Sequence, residues 1–376
     1  MILKSIFLKT LAMLMSFAFF VICGTACSGN PSHSGSSSEN PSGGGEQSDS
    51  SSSFSQSEEE EEPEGYSLLT DKKFKRGFKV RGLGLPIYPE HADEETFGDA
   101  YDTGYVFDYG KTTEDAPLWS VCQWSTRYAF HDTSITTFTA KGRTYTYENK
   151  SKLFRVNTGT GEFTLGLKAS ECYVYGDRYG TQEWPHLLIS RENINRNEFS
   201  RIYGKEEIRV RLNASIDKFE DKMRTTPSEV VHAAQCMFYL YVSNYNKQSN
   251  NFSDMLWLGM SIFDSRYEYT PPYARGDTES KESATGKYIY NVQNEYYLGT
   301  GNNFYEDGQI SVGNKVSIDF DILPFVQIAL DKAKEDGYML SSSYENLYIN
   351  GMYVGFELPG TYDIQMSFDG MDIVVR

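Results

Sequence analysis

Asp264-Ser265-Arg266 closes an apolar run, Met255 to Phe263, that carries Trp257 and is preceded by Asp254. An indole face beside a carboxylate and a guanidinium is a set that holds sugars. The ring stacks on the C–H face of the sugar while the charged groups bond its hydroxyls. The same residues also fit a structural role, a buried Trp and an Asp–Arg pair that ties down a loop. A second group, Trp184-Pro185-His186, lies between a polar loop with Asp177 and Arg178 and the apolar Leu187-Leu188-Ile189. Histidine, with an ordinary pKa of about 6.5, suits general acid or base work; at the start of an apolar strand it is as readily a satisfied structural residue. Glycoside cleavage needs two carboxyl groups about 5–10 Å apart. The candidate pairs are Asp319 with Asp321, two apart on one strand face, and Glu357 with Asp363, which flank Pro359-Gly360. Neither has the spacing of jelly-roll glycosidase acid motifs, and catalysis would require Asp264, Arg266, His186 and Glu357 to converge in one cleft. Asp319 and Asp321 offer the hard oxygens a structural calcium takes, but no EF-hand loop surrounds them, and no cofactor or metal is expected.

Other chemistries find no support. There is no G-x-S-x-G elbow, P-loop or H-E-x-x-H, and the five histidines are dispersed. Gly82-x-Gly84 lacks the flanking strand and helix and the third glycine of a dinucleotide site. The formal net charge of -17 and the pI near 4.8 argue against a nucleic-acid partner, which normally requires a basic face. The one basic cluster, Lys72, Lys73, Lys75, Arg76 and Lys79, alternates with Phe74 and Phe78 and reads as a solvated strand or local charge balance.

The elements that must position these residues are mostly strands. Turn signals punctuate short apolar-aromatic runs from Tyr66 onward, and aromatic residues make up 15% of the chain, which suits pleated surfaces. Thr103 to Tyr109 reads as edge material, Leu118 to Phe130 as a long strand, then Ile135–Thr139, Arg143–Glu148 and Leu153–Val156 as shorter ones. In Glu162 to Leu167, Phe163, Leu165 and Leu167 alternate with Thr164 and Gly166, which predicts one buried and one wet face. Ile208 to Ile216 alternates perfectly, and Val230 to Val242 reads as a central strand; the two are expected to pair as a hairpin around Asp217 to Ser228. Strands are also expected at Met255–Phe263, Lys287–Tyr290, Val316–Phe320, Leu347–Phe356 and Tyr362–Val375. One helix stands out over Ile322 to Asp336, with Asp321 as N-cap, Pro324 in the first turn and Gly337 at its end. Many short strands with one late helix predict sheet-on-sheet packing, a mainly β, jelly-roll type β-sandwich over residues 65–376. Its length leaves room for long loops or a second small sandwich. Cys122, Cys172 and Cys236 permit at most one disulfide, so the domain is not a disulfide scaffold.

The start of the chain sets its expected location. Lys4 and Lys9, the apolar run Leu11 to Ile22 and the small residues Gly24-Thr25-Ala26 before Cys27 follow the secretory-signal pattern. This resembles the lipobox of bacterial lipoproteins. The resemblance implies cleavage after residue 26 and lipidation of Cys27, hence a chain anchored in the cell membrane and facing outward; Gly24 departs from the bulky aliphatic residue usual three places before the cysteine. Residues 27–64 hold nine carboxylates and no Lys or Arg, a disordered leash with a reach of about 30–35 Å. At fold level the domain resembles bacterial extracellular jelly-roll modules, which implies carbohydrate binding or polysaccharide cleavage. The expected partner is a poly- or oligosaccharide, held by a candidate set of Trp184, His186, Asp254, Trp257, Asp264, Arg266 and Glu357. The alternatives are a polysaccharide lyase or glycoside hydrolase, and an adhesion or cell-wall protein. A monomer is expected.

Overall fold

The computed structural model describes residues 65–82, 87–88, 102–111, 115–180, 182–277, 284–298 and 310–376. The signal segment, Cys27 and the acidic leash lie outside the described residues. In chain order the first half forms β1 (Tyr66–Ser67), β2 (Phe78–Arg81), β3 (Asp102–Phe107), β4 (Trp119–Trp124), β5 (Thr137–Lys141), β6 (Thr144–Glu148), β7 (Lys152–Asn157), β8 (Glu162–Lys168) and β9 (His186–Arg191). The second half forms β10 (Ile208–Asp221), β11 (Gln235–Asn244), β12 (Met255–Asp264), β13 (Tyr273–Gly276), β14 (Tyr288–Val292), the short α1 (Glu295–Leu298), β15 (Lys315–Asp321), α2 (Leu323–Glu335), β16 (Leu347–Glu357) and β17 (Tyr362–Val375).

Two sheets result. The smaller runs β15-β10-β17-β8-β7-β6-β5, with β1 on β17; the larger runs β13-β14-β12-β11-β16-β9-β4-β2-β3. From β8 onward the chain alternates between them: β8 small, β9 large, β10 small, β11 to β14 large, β15 small, β16 large, β17 small. That wrapping makes the unit a β-sandwich of jelly-roll type, and one sandwich accounts for all the described residues.

The alternation of side chains explains why the sheets pack. Val210, Leu212, Ala214 and Ile216 of β10 meet Cys236, Phe238, Leu240 and Val242 of β11 in one continuous core. Trp119, Phe78, Phe154 and Phe163 fill the other end, each 0–1% exposed. β10 and β11 therefore face one another across the core. The expected hairpin between them is not formed, because each carries an apolar face that closes the same core from an opposite sheet. β8 also departs from expectation, since Thr164 and Gly166 are buried like their neighbours. Thr164 shares a hydrogen bond of 2.9 Å with Ser367 of β17, and a Cβ at Gly166 would lie 3.2 Å from Leu153, so flanking strands cover that face too. β4 stops at Trp124, short of Phe130, because Ser125 and Tyr128 turn the chain at positive φ of 50° and 60°.

The helix is where the pattern places it. Val326, Ala329, Leu330 and Ala333 join the main core, and α2 packs on β12, β13 and β14. The N-cap is Ile322 rather than Asp321, one residue later than expected; Asp321 Oδ1 still accepts the N–H of Leu323 at 3.1 Å, Pro324 occupies the first turn, and Gly337 at φ 88° ends the helix. Cys122, Cys172 and Cys236 are buried thiols with no disulfide among them.

Candidate functional site

The larger sheet has a second face, and its side chains form an apolar cluster separate from the main core: Cys122, Leu188, Met237, Tyr239 and Tyr353, with Trp124, Tyr241, Trp257 and Ile289 packed against them. Strand register arranges them in transverse rows. One row reads Ile289, Trp257, Tyr241, Gly351 across β14, β12, β11 and β16. The next reads Asn291, Gly259, Tyr239, Tyr353, Ser190, Ser120, Lys79, from β14 through to β2. The row at the far end of β11 reads Asp264, Gln235, Glu357, His186, Trp124.

Glycines let the rings lie down. A Cβ at Gly259 would stand 2.4 Å from the Tyr239 ring and 2.1 Å from Asn291 Oδ1; one at Gly351 would stand 2.7 Å from the Tyr241 ring. Each tyrosine thus occupies space that a side chain on the neighbouring strand would otherwise fill. The result is an aromatic floor: Trp257 lies 5.7 Å from Tyr239, 6.3 Å from Tyr241 and 5.7 Å from Tyr353, centroid to centroid. Tyr239 and Tyr353 are buried at its base, while Trp257, Tyr241 and Trp124 are half-buried. A Gly259→Ala variant should lose about 1–3 kcal/mol of stability, the usual cost of overpacking; urea unfolding measures it, and an unchanged midpoint would show that the rings yield freely.

Two polar atoms of this floor are buried without a partner among the described residues, the indole nitrogen of Trp257 and Oδ1 of Asn291. Buried donors and acceptors are almost always paired. Both atoms are enclosed beneath the rings, so the surface a ligand can reach is the half-buried faces of Trp257, Tyr241 and Trp124.

At the other end, Glu357 and His186 pair at 3.7 Å, each with 19% of its side chain exposed. His186 Nδ1 lies 2.9 Å from the carbonyl oxygen of Trp184, which can only accept, so Nδ1 carries a proton and Nε2 faces the carboxylate. Tyr353 donates to Glu357 Oε1 at 3.0 Å. Burial raises the Glu357 pKa, but His186, Tyr353 and Trp184 outweigh it, and the carboxyl is held below its usual range. Trp184 stacks on the imidazole at 5.8 Å and Trp124 meets it edge-on at 5.9 Å. Arg178 lies 4.7 Å over the Trp184 ring.

Of the residues expected from sequence, the fold gathers Trp184, His186 and Glu357 into this one cluster. Trp257 is on the same face but in another row. It pairs with Tyr241 while Asp264 pairs with Gln235, six positions along β11, or about 20 Å at the rise of a strand. The seven residues do not surround a single sugar. Asp264 is wholly enclosed and bound twice by Arg266, through Nε at 2.9 Å and Nη2 at 2.6 Å, and by Gln235 at 2.8 Å. Arg266 also reaches the carbonyl of Glu229, so this pair ties down a loop, the structural role of the two considered. Asp254 sits at the opposite end of β12 from Asp264, in an ion pair of 2.6 Å with Lys287.

The carboxylate pairs fare similarly. Asp363 belongs to β17 of the smaller sheet, where it accepts the N–H and hydroxyl of Ser170, so Glu357 and Asp363 are on different sheets. Asp319 is held by Arg209 at 2.5 Å and Arg211 at 3.3 Å, and Asp321 accepts two backbone N–H groups. Guanidinium and amide donors thus engage Asp319 and the Oδ1 of Asp321, and no group of three or more metal-ligating side chains occurs among the described residues.

Sequence reasoning missed Tyr239, Tyr241, Tyr353 and Trp124. A signal was present in β11, where the face opposite Cys236, Phe238, Leu240 and Val242 carries Met237, Tyr239 and Tyr241 instead of charges.

No family model matches the chain, and no curated protein does. Among solved structures, it is similar to the endoglucanase Cel12A from Rhodothermus marinus, with 13% identity and a TM-score of 0.32 over 64% of this chain and 95% of that one. A family 12 xyloglucanase from Bacillus licheniformis gives 10% identity and a TM-score of 0.36 over 64% and 97%. The family 11 xylanase from Neocallimastix patriciarum gives 8% and 0.31 over 65% and 97%. Likeness of this degree settles nothing about the face described above.

Proposed function

We propose that the outer face of the larger sheet binds a poly- or oligosaccharide, displayed outward by a chain exported and anchored through a lipid on Cys27. The observation that carries the reading is the aromatic floor of Trp257, Tyr241, Tyr239 and Tyr353 on the outer face of the larger sheet. Flat rings offer area for the C–H faces of sugars at little entropic cost. With rows about 20 Å apart at the extremes, the face spans several sugar rings.

Binding is favoured over cleavage by the state of the acids. Glu357 has the exposure and the histidine partner of a working carboxyl. Its row-mate Asp264 stands two strands away, about 9–10 Å, within the inverting range. Asp264, however, has no exposed side chain and is committed to Arg266 and Gln235. A hydrolase would need that second carboxyl open to water.

The test uses a panel of soluble polysaccharides in affinity gels, with reducing ends assayed in parallel. Retardation by at least one polysaccharide is expected, with the affinity lowered roughly tenfold in Trp257→Ala, the worth of a stacked ring. No release of reducing ends is expected. Retardation unchanged in Trp257→Ala would remove the floor as the binding surface, and steady release abolished by Glu357→Gln would establish the hydrolase reading instead.

A further inference from the structure

The row that carries Tyr239 and Tyr353 continues through Ser190 and Ser120 to Lys79. There it enters a cavity of about 530 Å³ whose lining includes Arg76, Lys79, Arg81 and Arg191 with Asp71 and Glu192. Four cations against two carboxylates is the reverse of the chain as a whole, whose net charge is -17.

The two carboxylates are already engaged, and they leave Lys79 and Arg191 without an ion pair among the described residues. Both oxygens of Asp71 already accept backbone N–H groups, from Lys75 and Arg76, and Glu192 pairs with Arg81 at 3.1 Å. Arg76 pairs outward with Asp115. Arg191 is only 8% exposed, donates to the backbone carbonyl of Glu192, and leaves its buried Nε without a partner among the described residues. The Lys79 ammonium makes no ion pair or hydrogen bond among the described residues. Burial, and then the charge of Arg76, lower the pKa of Arg191 against the opposing pull of Asp71 and Glu192. A buried guanidinium with uncommitted donors lining the cavity next to a lysine is the arrangement that binds a carboxylate or a similar oxyanion.

We propose that this cavity is an anion subsite that takes the carboxylate of a uronic-acid unit, making the ligand of the aromatic face an acidic polysaccharide. Lys79 and Tyr353 share a row three strand spacings apart, about 14 Å, so one chain lying across the strands meets rings first and cations next. This rests on the reading of that face as a polysaccharide surface.

The experiment is affinity electrophoresis of the full-length protein through gels holding polygalacturonate, dextran sulfate or a neutral β-glucan, with Lys79→Ala and Arg191→Lys variants. Lys79 is half-buried and its removal leaves the core intact, so a folding defect in the second variant would not obscure the first. Polygalacturonate should retard the native protein most. Each variant should bind it roughly tenfold more weakly, as for loss of one charge-assisted contact, with binding to the β-glucan unchanged. Equal retardation by β-glucan and polygalacturonate, insensitive to both variants, would overturn the anion subsite and leave the aromatic face standing. Preference for dextran sulfate over polygalacturonate would overturn the assignment to a carboxylate. Retardation by none of the three would count against the polysaccharide face itself, and the subsite would fall with it.

Discussion

A Lys152→Met variant is expected to be more stable than the native protein at pH 7, and to lose about 2–3 kcal/mol of that advantage by pH 9. Lys152 opens β7 on the same face as Phe154 and Val156 and is 1% exposed. Its Nζ donates to Thr126 Oγ1 at 3.0 Å, to the Arg127 carbonyl at 2.6 Å and to Ser151 Oγ at 3.2 Å, and lies 5.5 Å from the Phe130 ring centroid. Burial nevertheless dominates and lowers the lysine pKa to about 7. Between that value and the ordinary 10.5 the unfolded chain holds a proton that the folded chain lacks, so folding becomes more favourable as the pH rises. Below pH 7 the full cost of burying the charge is present. Burial raises the pKa of the Cys122 and Cys236 thiols, which works in the opposite sense near pH 9, but both proteins share those thiols and the difference isolates Lys152. Methionine fills a similar volume, and Ser151 Oγ still serves the Arg127 carbonyl at 2.7 Å. Denaturant unfolding of both proteins at the two pH values is the measurement. Parallel curves would mean that the three oxygen acceptors keep the ammonium charged in the core.

The second large effect is expected at Glu357. Glu357→Gln should cost about 1.5–3 kcal/mol at pH 7, the worth of hydrogen bonds to a charged group. The variant keeps an acceptor for Tyr353 but removes the charge that faces His186. Because the folded carboxyl titrates below its usual range, its contribution is fully present above the ordinary value of 4.5 and disappears as the pH falls through the lower folded value. The native protein should therefore lose stability on acidification below about pH 4.5, and the variant should lack this part of the slope. Thermal unfolding from pH 3 to pH 7 shows it; matching acid limbs would mean that Glu357 is not stabilised as an anion. The result also bears on the face as a binding surface, since a locked Glu357–His186 pair is a rigid rim for a ligand and a poor proton donor.

How much of this was legible in the sequence differs from element to element. The strict alternation of Ile208 to Ile216 placed β10, and the 3, 4 spacing of Phe325, Val326, Ala329 and Ala333 placed α2, because both patterns are local consequences of one exposed and one buried face. The pairing of β10 with β17, in place of β11, was not legible. It depends on residues some 150 positions later competing for the same strand edge, a choice that periodicity does not encode.

The same division applies to the site. Residue types by themselves determined a mainly β sandwich, an acidic chain, and the grouping of Trp184 with His186, which are neighbours in sequence. Tertiary structure alone decided that Glu357 completes that group, that Asp264 and Arg266 serve a loop, and that Trp257 stands about 20 Å from them beside Tyr239, Tyr241 and Tyr353. The physical reason is register. A one-residue slip of β11 would turn Tyr239 and Tyr241 into the core and Phe238 and Leu240 outward, and only the packing of both sheets against a shared core selects between the two.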